Sequence, residues 1–459
     1  MAVNTLGSPV HMPDLVIEKI LKCLPTKVAF QACFLSKQWE GVISSFPALN
    51  FDEDDDLDRH RPNLNGENDY VHHKTFINFL NGYLEHLDNR KHIDKLRLHT
   101  WVSTYRDAAN IDRCLEVAIE RDVKELDISP ILGGGDQVAL SKRSWVKRYK
   151  NSIFYSIPWL TLVNAKSLTS LNLECVRVPD LLDLLAGPDR SLLPSLKTMS
   201  FTAVRLHDCS FFPLLRISSS IEYLSLTACS FEGNDQCDVY CTSLKSLEVK
   251  YCHGLRSIMV GAMNLESFTL VGYTNCSFVD VDDAPNLKKI DICVDKLKQL
   301  YLWRCHRAVE ATINVQSLRL FKFYGSLEAQ VSVKACWKCI IWVTELWLQE
   351  WFLSNSKNLF TLIEFLKGFG CCKKVWLCTR DSKALIIPES FRKTVGTFPT
   401  PLPESCTLNV AMPNPPKPGS RDFLDLNDFI NWIAHSARIV KQNPQWLIEL
   451  FANYTNGSE

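Results

Sequence analysis

Charge of one sign is missing from this sequence. Its 51 basic and 51 acidic side chains cancel over 459 residues, so no global field draws the chain to nucleic acid or to a membrane surface. Long apolar runs are missing too, and nothing reaches the length that crosses a bilayer. The start, MAVNTLGSPVHMPD, has neither a basic segment nor an apolar one, and the expectation is that it is not a secretory leader. Signatures of chemistry are equally scarce. There is no Gly-x-Ser-x-Gly elbow, no His-Glu-x-x-His helix and no nucleotide fingerprint. The 11 histidines form no ligand-spaced set. Gly133-Gly134-Gly135 is followed by no Gly-Lys-Ser/Thr and reads as a loop. Cys336-x-x-Cys339 and the adjacent Cys371-Cys372 do not supply the two matched short spacings that a zinc site needs. The reading is a chain without catalytic residues, cofactor or metal.

Cysteine itself is plentiful, with 18 residues. Many of them, such as Cys175, Cys209, Cys229, Cys252, Cys293 and Cys305, sit in apolar patterns, where a free thiol acts as a small hydrophobe. A disulfide scaffold belongs to short secreted chains, so cytoplasm or nucleus is expected. Asn275-Cys276-Ser277 and Asn453-Tyr454-Thr455 match the glycosylation sequon, which has no meaning in those compartments. The basic cluster Lys142-Arg143, Lys147-Arg148 and Lys150 reads as a solvated loop, with nuclear import as the sharper alternative. With 46% hydrophobic and 22% charged residues, the composition is that of a folded protein rather than a disordered one.

The most informative stretch is Met12 to Phe51. Leu15, Ile17, Ile20, Leu21 and Leu24 are spaced along one side of a short helix, with Asp14 and Glu18 where a helix start favours acids. Pro25 ends it. A second apolar set runs through Val28, Ala29, Ala32, Cys33, Phe34, Leu35, Trp39, Val42 and Ile43. Three short helices in so few residues cannot bury a sufficient core alone, so the segment needs a partner.

Pro13-Asp14, Ile20-Leu21, Leu24-Pro25-Thr26-Lys27 and Leu35-Ser36-Lys37-Gln38-Trp39 resemble the F-box of the plant F-box/leucine-rich-repeat group. Met12-Pro13-Asp14 stands where members often have Leu-Pro-Asp. The resemblance implies docking onto a Skp-type adaptor and through it a cullin. The adaptor-facing residues would be Pro13, Leu15, Ile20, Leu24, Pro25, Leu35 and Trp39, some of which must form the motif's own core.

After the acidic run Asp52 to Asp58, read as a solvated linker, Phe76, Phe79, Leu80, Tyr83, Leu84 and Leu87 mark a helix. An apolar-x-x-apolar-x-apolar template then recurs at Ile93/Leu96/Leu98, Val123/Leu126/Ile128, Leu168/Leu171/Leu173, Leu196/Met199/Phe201 and Ile221/Leu224/Leu226. It continues at Leu244/Leu247/Val249, Leu265/Phe268/Leu270 and Leu287/Ile290/Ile292. Steps of 28, 25, 23 and 21 residues between 168 and 265 fall within the leucine-rich-repeat period of about 20–29. The template loosens at Leu297/Leu300/Leu302, Leu318/Phe321/Phe323, Val343/Leu346/Leu348 and Cys372/Val375/Leu377. The step from 287 to 297 is too short for a full repeat. Helices are expected at Ile111 to Arg121 and Pro179 to Ala186, and a terminal capping helix at Leu424 to Val440.

The expected fold is α/β: a three-helix F-box (8–51), an acidic linker (52–70), a leucine-rich-repeat solenoid with a parallel sheet on its concave face (71–392), and a proline-rich connection with a helical cap (393–459). Outward strand positions are polar early and aromatic late. A protein substrate is therefore expected on the late strands, around Trp303, Tyr324, Trp347 and Trp376, residue types favoured at binding hot spots. The resemblance implies a substrate receptor of a Skp–cullin–F-box ubiquitin ligase. A non-degradative scaffold and a receptor for a hormone-like ligand are the alternatives on the same fold.

Overall fold

The computed structural model describes residues 12–22, 24, 28–29, 32, 37–43, 48–53, 66–86, 92–102, 105–132, 154–181, 192–207, 211–233, 236–272, 275–305, 310–315, 317–325, 331–332, 343–348, 356–367, 373–379, 385, 393, 401–412, 415–434 and 438–442. Several readings fall outside them: Pro25 and Leu35, the three glycines at 133–135, the basic cluster at 142–150, and the cysteines at 336, 339, 371 and 372. The chain divides into two compact units, 1–206 and 207–459.

The first unit opens with helix α1 (Asp14–Lys22) and helix α2 (Lys37–Ile43). Parallel strands come next, and their partners Leu49, Leu96, Leu126, Leu171 and Met199 stand side by side. Helices α3 (Gly66–His86) and α4 (Tyr105–Glu120) lie between early strands, as the apolar stripe from Phe76 to Leu84 and the stripe at Ile111, Cys114, Leu115 and Ala118 predict. The strand Ala48–Asp52 pairs with Lys95–Val102, so the repeat sheet starts directly behind the F-box segment. Asp52 and Glu53 are not solvated linker residues: Glu53 is buried and Asp52 meets His99 at 2.8 Å. A buried carboxylate persists only with partners. Glu53 has His73 of α3 and Thr100 of the neighbouring strand.

In the second unit one parallel sheet aligns Leu224, Leu247, Phe268, Ile290 and Ala311. All eight template triplets from residue 93 to 292 are buried, because alternate side chains along a strand face the same way. A second parallel sheet stands apart from the first. Its inward residues recur every 21 positions at Cys237, Ile258, Val279, Leu300 and Phe321, and it runs on through Val343–Leu348, Lys374–Thr379, Thr407–Ala411 and Arg438–Gln442.

This second sheet resolves the short step. Leu287/Ile290/Ile292 and Leu297/Leu300/Leu302 both mark strands, on different sheets. The apolar alternation reports that one side of a strand is buried, not which sheet it joins, so the late triplets do not continue the early series. A further correction concerns the C-terminal helix. It spans Arg421–Ile433, and the strand Arg438–Gln442 then adds to the second sheet. Leu426, Phe429, Ile430 and Ile433 form the buried stripe, while Ile439-Val440 suits a strand better than a helix end.

The corners at five successive first-sheet strands are built alike. Cys175, Ala203, Ala228, Tyr251 and Gly272 all have positive φ, from 53° to 126°, and succeed one another by the same 28, 25, 23 and 21 residues as the repeats. Ala228 and Tyr251 donate their N–H to Lys250 O and Val271 O of the next coil, both at 2.7 Å. The opposite corner is tied by the residue before the leading leucine. Ser243, Asn264 and Asn286 each donate to a carbonyl of the preceding coil.

Candidate functional site

Two surfaces can meet partners. The first is the F-box. Ile17, Leu21, Ala29 and Val42 form its core, with Met12, Leu24, Ala32 and Trp39 packed partly against it. Ile17 and Leu21 are one helical turn apart and so share a face. Gln38 of α2 donates to Met12 O and to Asp14 Oδ1, the latter at 2.8 Å, which ties α2 to the start of α1. Of the residues expected to face an adaptor, Pro13 is exposed and Leu15 is 73% exposed. Ile20 is half-buried. Leu24 and Trp39 serve the motif's own core. Val16 and Val28, which the sequence reading did not place there, are also exposed. Leu15, grouped with that stripe from the sequence, stands two positions from Ile17 and so lies on the other side of the helix, as the exposed Val16 also lies off the buried stripe.

The second surface is the outward side of the second sheet. Trp303 is half-buried there and meets the Tyr301 ring edge-on at 6.4 Å. Phe278 meets the same ring at 5.1 Å and 90°. Tyr324 and Trp347 are backbone partners on adjacent strands, and their side chains lie outside the described residues. Trp376 is buried, at 8% exposure, with Lys374 Nζ 4.9 Å above its ring. The aromatic face therefore does not extend to Trp376. Val375, Leu377 and Cys378 are buried as well, so this strand is covered on both sides.

The two sheets differ electrostatically on their outward sides. On the first, Asn172 donates to Asp127 at 2.8 Å, Ser129 to Glu174 at 2.9 Å, and Tyr223 and Lys250 to Glu248 at 3.0 and 2.7 Å. These acids accept from residues of the same or a neighbouring strand of their sheet. On the second, the outward residues Asp238, Asp280 and Asp282 accompany the aromatic rings. Burial pushes the Asp280 carboxyl up to about 6, with Asp282 adding to the shift and Lys322 opposing it. None of this is nucleophilic or ligating machinery, and among the described residues no group of three or more His, Cys, Asp or Glu could hold a metal ion. The buried thiols are inert: desolvation holds Cys114 and Cys276 up at about 12, where the reactive thiolate is absent at neutral pH.

Comparison with known proteins divides along the same two parts. An F-box domain model matches residues 10–50. A model described as FBD-associated F-box protein At5g56370, LRR repeats, matches residues 129–322. A putative FBD-associated F-box protein of Arabidopsis thaliana is 31% identical over 216 residues, 47% of this chain and 46% of its own length. A putative F-box protein of the same plant is 28% identical over 197 residues, 43% and 38% of the two chains. A further FBD-associated F-box protein is 26% identical over 284 residues, 61% and 59%. The aligned part thus spans about half the length of these curated relatives. Both matched families are generally non-catalytic adaptor proteins, and no enzyme family is indicated. With an F-box model over the helical cluster and a leucine-rich-repeat model over the stacked coils, the chain is similar to the plant-type F-box/leucine-rich-repeat group.

Proposed function

We propose that this chain is the substrate-recognition subunit of a Skp–cullin–F-box ubiquitin ligase. The observation that carries the reading is the F-box cluster. Ile17 and Leu21 are fully buried while Leu15, Val16 and Val28 on the same small unit stay exposed. An apolar surface on so small a body suits a helical partner, and F-box domains generally bind Skp-type adaptors. The repeats would hold the target on the outward side of the second sheet, with Trp303, Tyr324 and Trp347 of the aromatic set. Catalysis would then be by proximity, holding a substrate lysine near a ubiquitin-charged enzyme at high effective concentration. The ten cysteines whose side chains are described are all free, which suits cytoplasm or nucleus.

The test is a pull-down of the chain with a purified Skp-type adaptor, beside Leu15→Asp. Leu24→Ala is the poorer choice, because Leu24 packs on the F-box core. Capture by the wild type and loss in Leu15→Asp, with unchanged thermal unfolding, is the expected result. Failure of the wild type to bind would reduce the F-box to a helical cap. Adaptor-dependent turnover of a bound target then separates a ligase subunit from a scaffold.

A further inference from the structure

One row of outward side chains crosses five strands of the second sheet: Asp238, Met259, Asp280, Tyr301 and Lys322, each the register partner of the next. Asp280 Oδ1 is buried and accepts no hydrogen bond. A carboxylate oxygen removed from water without a donor is costly, and the side chains beside it in the row, a thioether and a phenol ring, are largely apolar. Burial accordingly disfavours its charged form, raising the carboxyl above the usual range. The neighbouring Tyr301 ring, braced edge-on by Phe278, already carries a cation on its face, since Lys322 Nζ lies 5.0 Å from its centroid. Aromatic faces attract cations through their quadrupole. Lys322 is the one cation among the described outward residues of these five strands, against three aspartates. The face therefore carries net negative charge, and while Asp238 accepts from Gln236 at 2.9 Å and Asp282 from the N–H of Asp283 at 2.8 Å, Asp280 Oδ1 is left without a donor.

We propose that this face docks a basic, extended segment of the substrate protein, with an arginine or lysine side chain laid over Tyr301 and its donors on Asp280. The inference rests on the substrate-receptor reading and gives it a substrate class. Arginine fits better than lysine, because a guanidinium stacks on a ring while still donating in its own plane. The aspartates on either side, Asp238 and Asp282, extend the attraction along the segment, and the partly exposed Tyr240 borders it.

The experiment screens the full chain, alone and bound to adaptor, against a random-sequence peptide library, with adaptor binding measured in parallel. The expected result is a retained pool enriched in Arg and Lys. Asp280→Asn and Tyr301→Ala should each lower retention about tenfold and erase the basic bias. Glu248→Gln, on the first sheet, should leave both unchanged. Asp280→Asn preserves shape, and its unfolding midpoint shows that the fold is intact. Enrichment of neutral or acidic peptides, no enrichment at all, or a basic pool held equally by Asp280→Asn overturns the proposal. Loss of adaptor binding overturns the receptor reading instead, which the peptide result on the chain alone does not decide.

Discussion

The imidazole of His73 holds Glu53 at 3.0 Å through Nδ1, and its other nitrogen reaches Asp107 at 3.1 Å. Three segments distant in sequence meet there: the end of the first strand, helix α3 and helix α4. The hydrogen bond to Glu53 is the main cause that raises His73 from 6.5 to about 9; burial works against it, and Asp107 adds to the rise. The ring is therefore charged at neutral pH and donates to both carboxylates.

This raised value fixes the direction of the pH dependence. A folded-state pKa above the unfolded value contributes stability that is fully present below about 6.5 and is lost as pH rises through about 9. Urea unfolding between pH 6 and pH 10 should show the wild type losing stability relative to His73→Gln over that window. Parallel curves would refute the assignment. His73→Ala, which leaves two buried carboxylates facing each other, should cost about 3–5 kcal/mol at neutral pH.

Two glycines should respond with opposite sign. Gly272 has φ +126°, and a Cβ there would lie 2.8 Å from Tyr251 Cα. Gly272→Ala should therefore cost about 2 kcal/mol or more. Gly82 sits within helix α3 with no heavy atom within 4 Å of an added Cβ, so Gly82→Ala should stabilise by about 0.5–1 kcal/mol. Denaturant midpoints measured at equal slope would check both.

Phe268 fills the interior between Leu247 and Ile290 on the first sheet and is fully buried. Its truncation to Ala should cost about 3–5 kcal/mol, mostly through the cavity that the neighbouring coils cannot close. A loss below about 1 kcal/mol would mean that the coils collapse onto the gap.

Ser420 caps the C-terminal helix, accepting from Phe423 N at 3.2 Å. Ser420→Ala should lower stability by about 1 kcal/mol and Ser420→Asp should retain it, since either oxygen type accepts from an early helix N–H. Equal melting of the serine and alanine forms would show that the cap contributes nothing.

How far the sequence could be read is visible at particular residues. Alternation places Leu171, Leu224 and Phe268 inward, and they are buried, because alternation along a strand is a local property. Trp303 and Trp376 look equivalent in the same pattern, yet one is half-buried on an open face and the other lies under cover on both sides. Leu15 and Leu24 look equivalent on one helix, yet only Leu24 turns to the motif's core. Asp52 and Glu53 look like the start of a solvated acidic run. Their partners His73, His99 and Thr100 come from 20 to 47 residues further along the chain, beyond any local signal.

The sequence by itself determined the F-box motif, the period of the coils and the identity of the inward side chains, since each rests on the spacing of neighbours along one segment. Only the tertiary structure decided which sheet a strand joins, why Ala228 and Tyr251 accept left-handed backbone at a corner, and which face keeps an unmatched aspartate. Those outcomes depend on hydrogen bonds between coils about twenty residues apart, where the pairing of one coil with the next, not the preference of any residue, sets the lowest free energy.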